Sequence, residues 1–310
     1  MAKKKQTVPA APVDPEFAAR QARFAALCER ERLSDRPAAG VTVGEGIGTY
    51  KEKRLHALLK DFYMPPNARQ EVRLDDVLLT SRYADLTDAA TRRARDRYVA
   101  DVLTDEGEII EIQTGGFFPL VKKLHFYLCA TDLDVTVVHP LPAAKYLRWM
   151  DPETGEISAA HKSPKKGSVK DVAKELYWLL PYLAEPRLKL VIALIDVEEL
   201  RLQNGWGNGG KRGSERYDRF PLALQQEIVF ECPEDYAAVF LPPPDVLPAP
   251  FTAAEYARAT GIRGKATYSL LHILTDLHFL TPAAPRGRAG TWVIRLLIRG
   301  LSLLCGLVEL

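Results

Sequence analysis

The stretch "RYVADVLTDEGEIIEIQTGG", Arg97 to Gly116, decides how the middle of the chain is read. Two apolar runs flank "TDEGE", the pattern of a β-hairpin. Yet each run carries polar groups: Asp101 on the first, Glu111 and Gln113 on the second. Side chains alternate between the faces of a strand, so Asp101 shares a face with Val99, and Glu111 with Gln113. The turn brings Asp101 back beside Glu111. Two carboxylates held that close repel unless a cation lies between them. Mg²⁺ or Mn²⁺ is the natural occupant, because hard divalent ions take carboxylate and carbonyl oxygens. Such an ion polarises a phosphate and lowers the pKa of its bound water, which is hydrolytic chemistry. The Ile112 carbonyl is a further candidate ligand. Gln113 can position a water but can neither take a proton nor carry a positive charge. The bland alternative has Asp101 facing water at a strand end, with Glu111 and Gln113 on the solvated face of an edge strand.

Outward from the hairpin, "VGEGIGTYKEKRLHALLKDFY" predicts a helix with an apolar face of Leu55, Leu58, Leu59 and Phe62 and with Glu52 in its first turn. "MPP" ends it. "QEVRLDDVLL" predicts a strand, followed by a charged helical insertion, "TSRYADLTDAATRRARDR". After the hairpin, "FFPLVKKLHFYLC" predicts a helix and "DVTVVHPLP" a short buried strand. The order from Tyr50 to Pro142 is helix, strand, strand, strand, helix, strand, which means an α/β domain. Further along come a strand turning at "DPETGE", the basic loop "HKSPKKG" with a helix behind it, and the buried strand "RLKLVIALIDVEELRL". "QNGWGNGGKRGSERYDRFP" reads as a long polar loop.

At this point the chain resembles the PD-(D/E)XK nuclease superfamily, over roughly Gly44 to Pro142. Asp101, then Glu111 and Gln113 ten and twelve residues on, match its motif positions. The resemblance implies a restriction-endonuclease-like core, α-β-β-β-α-β around a mixed sheet, with Asp101 and Glu111 as metal ligands. It gives Glu52 the place of an extra acidic group on the metal side. Gln113 stands where the superfamily usually has lysine, and Lys122 or Lys123 of "LVKKL" is a candidate for a displaced positive charge. The chain is also similar to a group of uncharacterised bacterial proteins that share stretches like "GIGTYKEKRLH", "EIQTGGF" and "SPKKG".

The proline-rich "FLPPPDVLPAPF" reads as a linker. Beyond it, Thr252 and Glu255 form a capping-box pattern, Gly261 closes a first helix, and a second amphipathic helix leads to a basic hairpin. That is the plan of a winged helix-turn-helix. The expected layout is a tail and helix over 1–43, the α/β domain over 44–239, the linker over 240–250, and the winged helix with an apolar tail over 251–310.

A net charge of +2 is too balanced to argue for nucleic acid, so any basic surface must be local. From Phe251 to Arg299, seven Lys/Arg stand against two Asp/Glu. Candidate DNA contacts are Lys165 and Lys166 of "SPKKG", and Lys211, Arg212 and Arg216 of the glycine-rich loop. Arg263 and Lys265 at the second helix, and Arg286 and Arg288 on the wing, complete the set. Four scattered cysteines without a C-x-x-C pair suit reduced thiols in a cytoplasmic protein. The basic N-terminus lacks an apolar core behind it, so no secretory signal is expected. The final apolar run, interrupted by Arg295 and Arg299, is too short for a membrane span. A homodimer is compatible with all of this. The expected function is Mg²⁺- or Mn²⁺-dependent endonucleolytic hydrolysis of DNA. The alternative is an inactive nuclease-fold protein that binds DNA or regulates.

Overall fold

The computed structural model describes residues 14–34, 53–73, 98–205 and 214–295. It is a mixed α/β structure with a mixed sheet and several helices. The chain divides into two compact units, each assembled from three stretches.

The first unit comprises Met1–Tyr63, Pro142–Lys166 and Ile195–Gln226. Helix α1 (Pro15–Ser34) is rich in alanine and leucine, strong helix formers. Helix α2 (Lys53–Tyr63) buries the face expected for it: Leu55, Leu58, Leu59 and Phe62. Phe24 of α1 meets Phe62 edge-on, ring centroids 5.1 Å apart, which pins the two helices together.

The second unit comprises Met64–Leu141, Gly167–Leu194 and Glu227–Leu310. Strands β1 (Arg69–Arg73), β2 (Val99–Leu103) and β3 (Glu108–Ile112) run antiparallel in sequence order. The β2–β3 turn uses Gly107 at φ +86°, a conformation that favours glycine. Helix α3 (Leu120–Ala130) then carries the chain to β4 (Asp134–Met150), which lies parallel to β3. A parallel neighbour requires such a crossover. The charged insertion between β1 and β2 lies outside the described residues.

Three elements differ from their sequence reading. "DVTVVHPLP" and "AAKYLRWM" are one strand of 17 residues, β4, not two. Its pairing with β3 ends at Val138, and β5 (His161–Lys162) joins only at Tyr146. Pro140 and Pro142 lie between, where that edge has no ladder for their missing N–H to break. "KDVAKELYWLLPYL" is not a single helix: a short α4 (Ala173–Leu176) sits between 3-10 turns, Val169–Val172 and Tyr177–Tyr182. Pro181 within the second turn cannot donate to an α-helical ladder. "ERYDRFP" is not loop but the start of β7 (Glu215–Phe230). The sheet order is β1-β2-β3-β4-β6-β7, with β6 spanning Leu188–Leu202, so β7 is at an end and tolerates Pro221.

Toward the C-terminus of the second unit come α5 (Pro233–Phe240), β8 (Phe251–Thr252), α6 (Ala253–Thr260) and α7 (Lys265–Asp276). The hairpin β9 (Leu280–Arg286) and β10 (Ala289–Ile294) follows. Thr252 and Glu255 form the expected capping box, and Gly261 ends α6 at φ +75°. Strand β10 pairs with both β8 and β9. Leu247 of the proline-rich segment is buried in the same hydrophobic cluster as Phe240, Phe251 and Leu270. The C-terminal apolar tail from 296 lies outside the described residues.

Candidate active site

The β2–β3 register pairs Val102 with Ile110 and Leu103 with Ile109. One step further along the hairpin, Asp101 stands opposite Glu111, and directly opposed residues share a face. The two side chains lace the strands together. Asp101 Oδ2 accepts the Ile112 N–H at 2.8 Å, and Glu111 Oε1 accepts the Asp101 N–H at 3.4 Å. Asp101 is 9% exposed and Glu111 4%. Strand β3 has neighbours on both sides. A solvated edge-strand face is therefore excluded for Glu111.

Helix α3 covers this face. Lys123 and Tyr127 lie one helical turn apart, so both reach the same spot. Lys123 Nζ is 2.6 Å from Glu111 Oε2, and the Tyr127 hydroxyl donates to Oε1 at 2.8 Å. The lysine also lies 5.8 Å from the Tyr127 ring centre. Of the two lysines in "LVKKL", then, it is Lys123 that joins the site. Burial pushes the Glu111 carboxyl up from its ordinary 4.5 to about 7, with Lys123 opposing and Asp101 reinforcing the shift. Burial and the neighbouring Glu111 also raise the Tyr127 hydroxyl, so it stays a donor. Asp101 and Glu111 thus set two buried carboxylates side by side, with Lys123 on Glu111. That donor set, two carboxylates facing one another, is chemically suited to a hard divalent cation.

Gln113 does not join the carboxylates. It lies just past the end of β3, and its side-chain amide donates to the Gly116 carbonyl at 2.6 Å. Its own carbonyl meets His139 Nδ1 at 2.6 Å. His139 is buried and packs edge-on against Phe117. A Cβ at Gly116 would come within 2.9 Å of a Glu175 carboxylate oxygen, the one that accepts the Phe117 N–H, so that side chain would have to shift. Glu52 lies outside the described residues. Sequence reasoning missed Tyr127 and His139. Four-residue spacing from Lys123 was the available signal for Tyr127, whereas nothing local marks His139. Among the described residues, no group of three or more His, Cys, Asp or Glu could hold a metal ion.

Residues 78–231 match a family described as a domain of unknown function, DUF8091. The stretch matching DUF8091 holds Asp101, Glu111, Lys123 and Tyr127, and ends before α5. An "Uncharacterized protein" of Treponema pallidum (strain Nichols) is 29% identical over 242 residues, covering 78% of this chain and 85% of that protein. No solved structure matches the chain.

The proposed DNA contacts fall into two sets. Within the DUF8091-matching stretch, Lys165 and Lys166 are exposed in the loop after β5, and Arg216 lies on β7. Lys211 and Arg212 lie outside the described residues. Beyond it, Arg263, Lys265 and Arg288 are exposed. Arg286 is committed to structure: it bonds the Glu255 carboxylate at 2.8 Å and the Pro250 carbonyl, bracing the start of α6. Thr267, in the first turn of α7, is buried, and its hydroxyl donates to the Ile262 carbonyl. Tyr268 beside it is 64% exposed. Among the described residues no helix is long and apolar enough to cross a membrane.

Proposed function

We propose that this chain is a metal-dependent DNA endonuclease of the PD-(D/E)XK type, with Lys123 in place of the missing motif lysine. The observation that carries this reading is the buried Asp101–Glu111 pair with Lys123 Nζ 2.6 Å from Glu111. Supporting it, β1–β2–β3 are antiparallel, β3–β4 parallel, and α3 crosses between them, as a restriction-endonuclease-like core requires. The run α5-β8-α6-α7-β9-β10 fits a winged helix that would hold the DNA. Asp101 and Glu111 would hold Mg²⁺ or Mn²⁺, which when bound supplies a polarised phosphate and an acidified water. Lys123 and Tyr127 fix the orientation of the Glu111 carboxylate. Gln113 stabilises the turn out of β3, and from there its amide would orient water only after releasing Gly116.

One observation favours a second reading. Both Glu111 oxygens are already bonded, by Lys123 and Tyr127, in a site almost closed to solvent. That arrangement suits a nuclease fold that binds DNA without cutting it. The two readings separate in one assay. The full chain is incubated with Mg²⁺ or Mn²⁺ and supercoiled, linear or single-stranded DNA, beside an Asp101→Ala/Glu111→Ala variant. Cleavage by the wild type alone is the expected result. Equal cleavage by both proteins means contamination and removes the enzyme reading. Salt-sensitive DNA binding without cleavage selects the second reading.

A further inference from the structure

In the first unit, a second buried carboxylate has the opposite surroundings. Glu199 is 2% exposed on β6. Its Oε1 accepts from Arg201 Nε at 2.8 Å, and its Oε2 lies 3.2 Å from Arg219 Nη2 and 3.8 Å from Lys145 Nζ. The cations come from three adjacent strands: Lys145 from β4, Arg201 from β6, Arg219 from β7. Three cations from separate strands thus converge on one buried carboxylate. Of the nearby acids among the described residues, two pair with other cations. Glu198, on the opposite face of β6, pairs with Arg148, and Asp218, on the opposite face of β7, pairs with Arg54. Glu215 accepts from the Asn204 amide.

The "SPKKG" loop adds a further cation. Ser163 N–H donates to the Lys145 carbonyl at 2.8 Å, and Lys165 N–H donates to the Ser163 hydroxyl. Burial, then the nearby Arg219, Lys165 and Arg201, hold the Lys145 ammonium below its usual range despite Glu199. Burial raises the Glu199 carboxyl, but its arginine and lysine partners outweigh that and hold it low, so it stays ionised. Like charges gathered this closely are costly unless a further anion shares them. Access exists, since the Lys145 and Arg201 side chains are about one-third exposed.

We propose that Lys145, Arg201 and Arg219, with Lys165 at the rim, form a binding site for a phosphate group. Arginine presents a planar fork of donors matched to phosphate oxygens, and lysine adds a point charge. Glu199 holds the arginine forks in place and tunes how tightly an anion is held. This site goes beyond the proposed catalysis and stands whether or not the Asp101–Glu111 pair cuts DNA. The phosphate has two possible sources, a free or nucleotide phosphate and the backbone of an oligonucleotide.

The test uses the full chain, with inorganic phosphate titrated against a chloride control of equal ionic strength, read by calorimetry and melting temperature. The wild type should bind phosphate. Arg201→Gln should weaken binding about tenfold, the effect of one charge-assisted contact. Lys165→Gln, in an exposed loop, should weaken it by a smaller factor without altering the unliganded melting temperature. Glu199→Gln should bind phosphate more tightly than the wild type, an effect that loss of a merely structural ion network cannot produce. If that variant does not fold, Arg201→Gln and Lys165→Gln carry the test alone. A short oligonucleotide that competes with phosphate identifies a backbone phosphate, and one that does not compete identifies the free or nucleotide form; either result supports the site. No phosphate effect beyond chloride, or equal affinity in wild type, Arg201→Gln and Lys165→Gln, overturns the proposal.

Discussion

Glu111 and Glu199 are both buried strand carboxylates, and they sit in opposite electrostatic company. Around Glu111 stand a second carboxylate, Asp101, and Lys123. Around Glu199 stand three cations, Lys145, Arg201 and Arg219. Burial acts on both in the same direction, yet Glu111 titrates high and Glu199 low. The two proposals rest on this contrast: a cation beside Asp101 and Glu111, an anion beside Lys145, Arg201 and Arg219.

The largest expected difference comes from deleting one lysine at each place. Lys123→Ala removes the ion-pair partner of the buried Glu111 and should destabilise the fold by about 3–5 kcal/mol at pH 8. Lys145→Ala leaves Glu199 with two arginines and relieves crowding among the cations, so its cost should stay below about 1 kcal/mol. Urea denaturation of both variants measures this. Comparable losses would show that the charged surroundings are not what distinguishes the sites.

A smaller effect is expected in the pH dependence. Glu111 titrates near 7 in the folded chain against an ordinary 4.5. Between those values the folded state binds more protons than the unfolded state, so this group's contribution to stability falls as pH rises through that window. The fall should be on the order of 3 kcal/mol. Glu111→Gln should flatten that part of the stability–pH curve. A variant whose curve runs parallel to the wild type from pH 4.5 to 7 would show that burial does not raise Glu111.

The first of these sites was largely legible in the sequence, the second was not. Alternation along two short strands and a glycine turn suffices to set Asp101 opposite Glu111, because hairpin register is a local property. The resemblance, with glutamine where a lysine is usual, pointed to Lys122 or Lys123 of the next helix, and only the way α3 packs on the sheet selected Lys123. Gln113 was placed on the right strand face by alternation, but β3 ends one residue before it, and the turn at Gly116 claims its amide. The Glu199 cluster draws residues from three strands far apart in sequence, a matter of sheet order that no local pattern encodes. Its β7 contribution was hidden further, since "ERYDRFP" has the composition of a loop and becomes strand through its neighbour β6. The C-terminal helices were legible for the opposite reason: the Thr252–Glu255 capping box and Gly261 are stop and start signals written within a few residues.

The central claim, that Asp101 and Glu111 form a binding site for a divalent cation, is tested most directly by Mn²⁺ titration of the full chain without DNA. Mn²⁺ bound is read by electron paramagnetic resonance, in the wild type and in an Asp101→Asn/Glu111→Gln variant that keeps the shape of both side chains. The account predicts one Mn²⁺ site in the wild type that disappears in the variant and weakens as pH falls below about 7, where Glu111 takes up a proton. Equal Mn²⁺ binding by the two proteins, or none by the wild type at millimolar Mn²⁺ and pH 8, would contradict it.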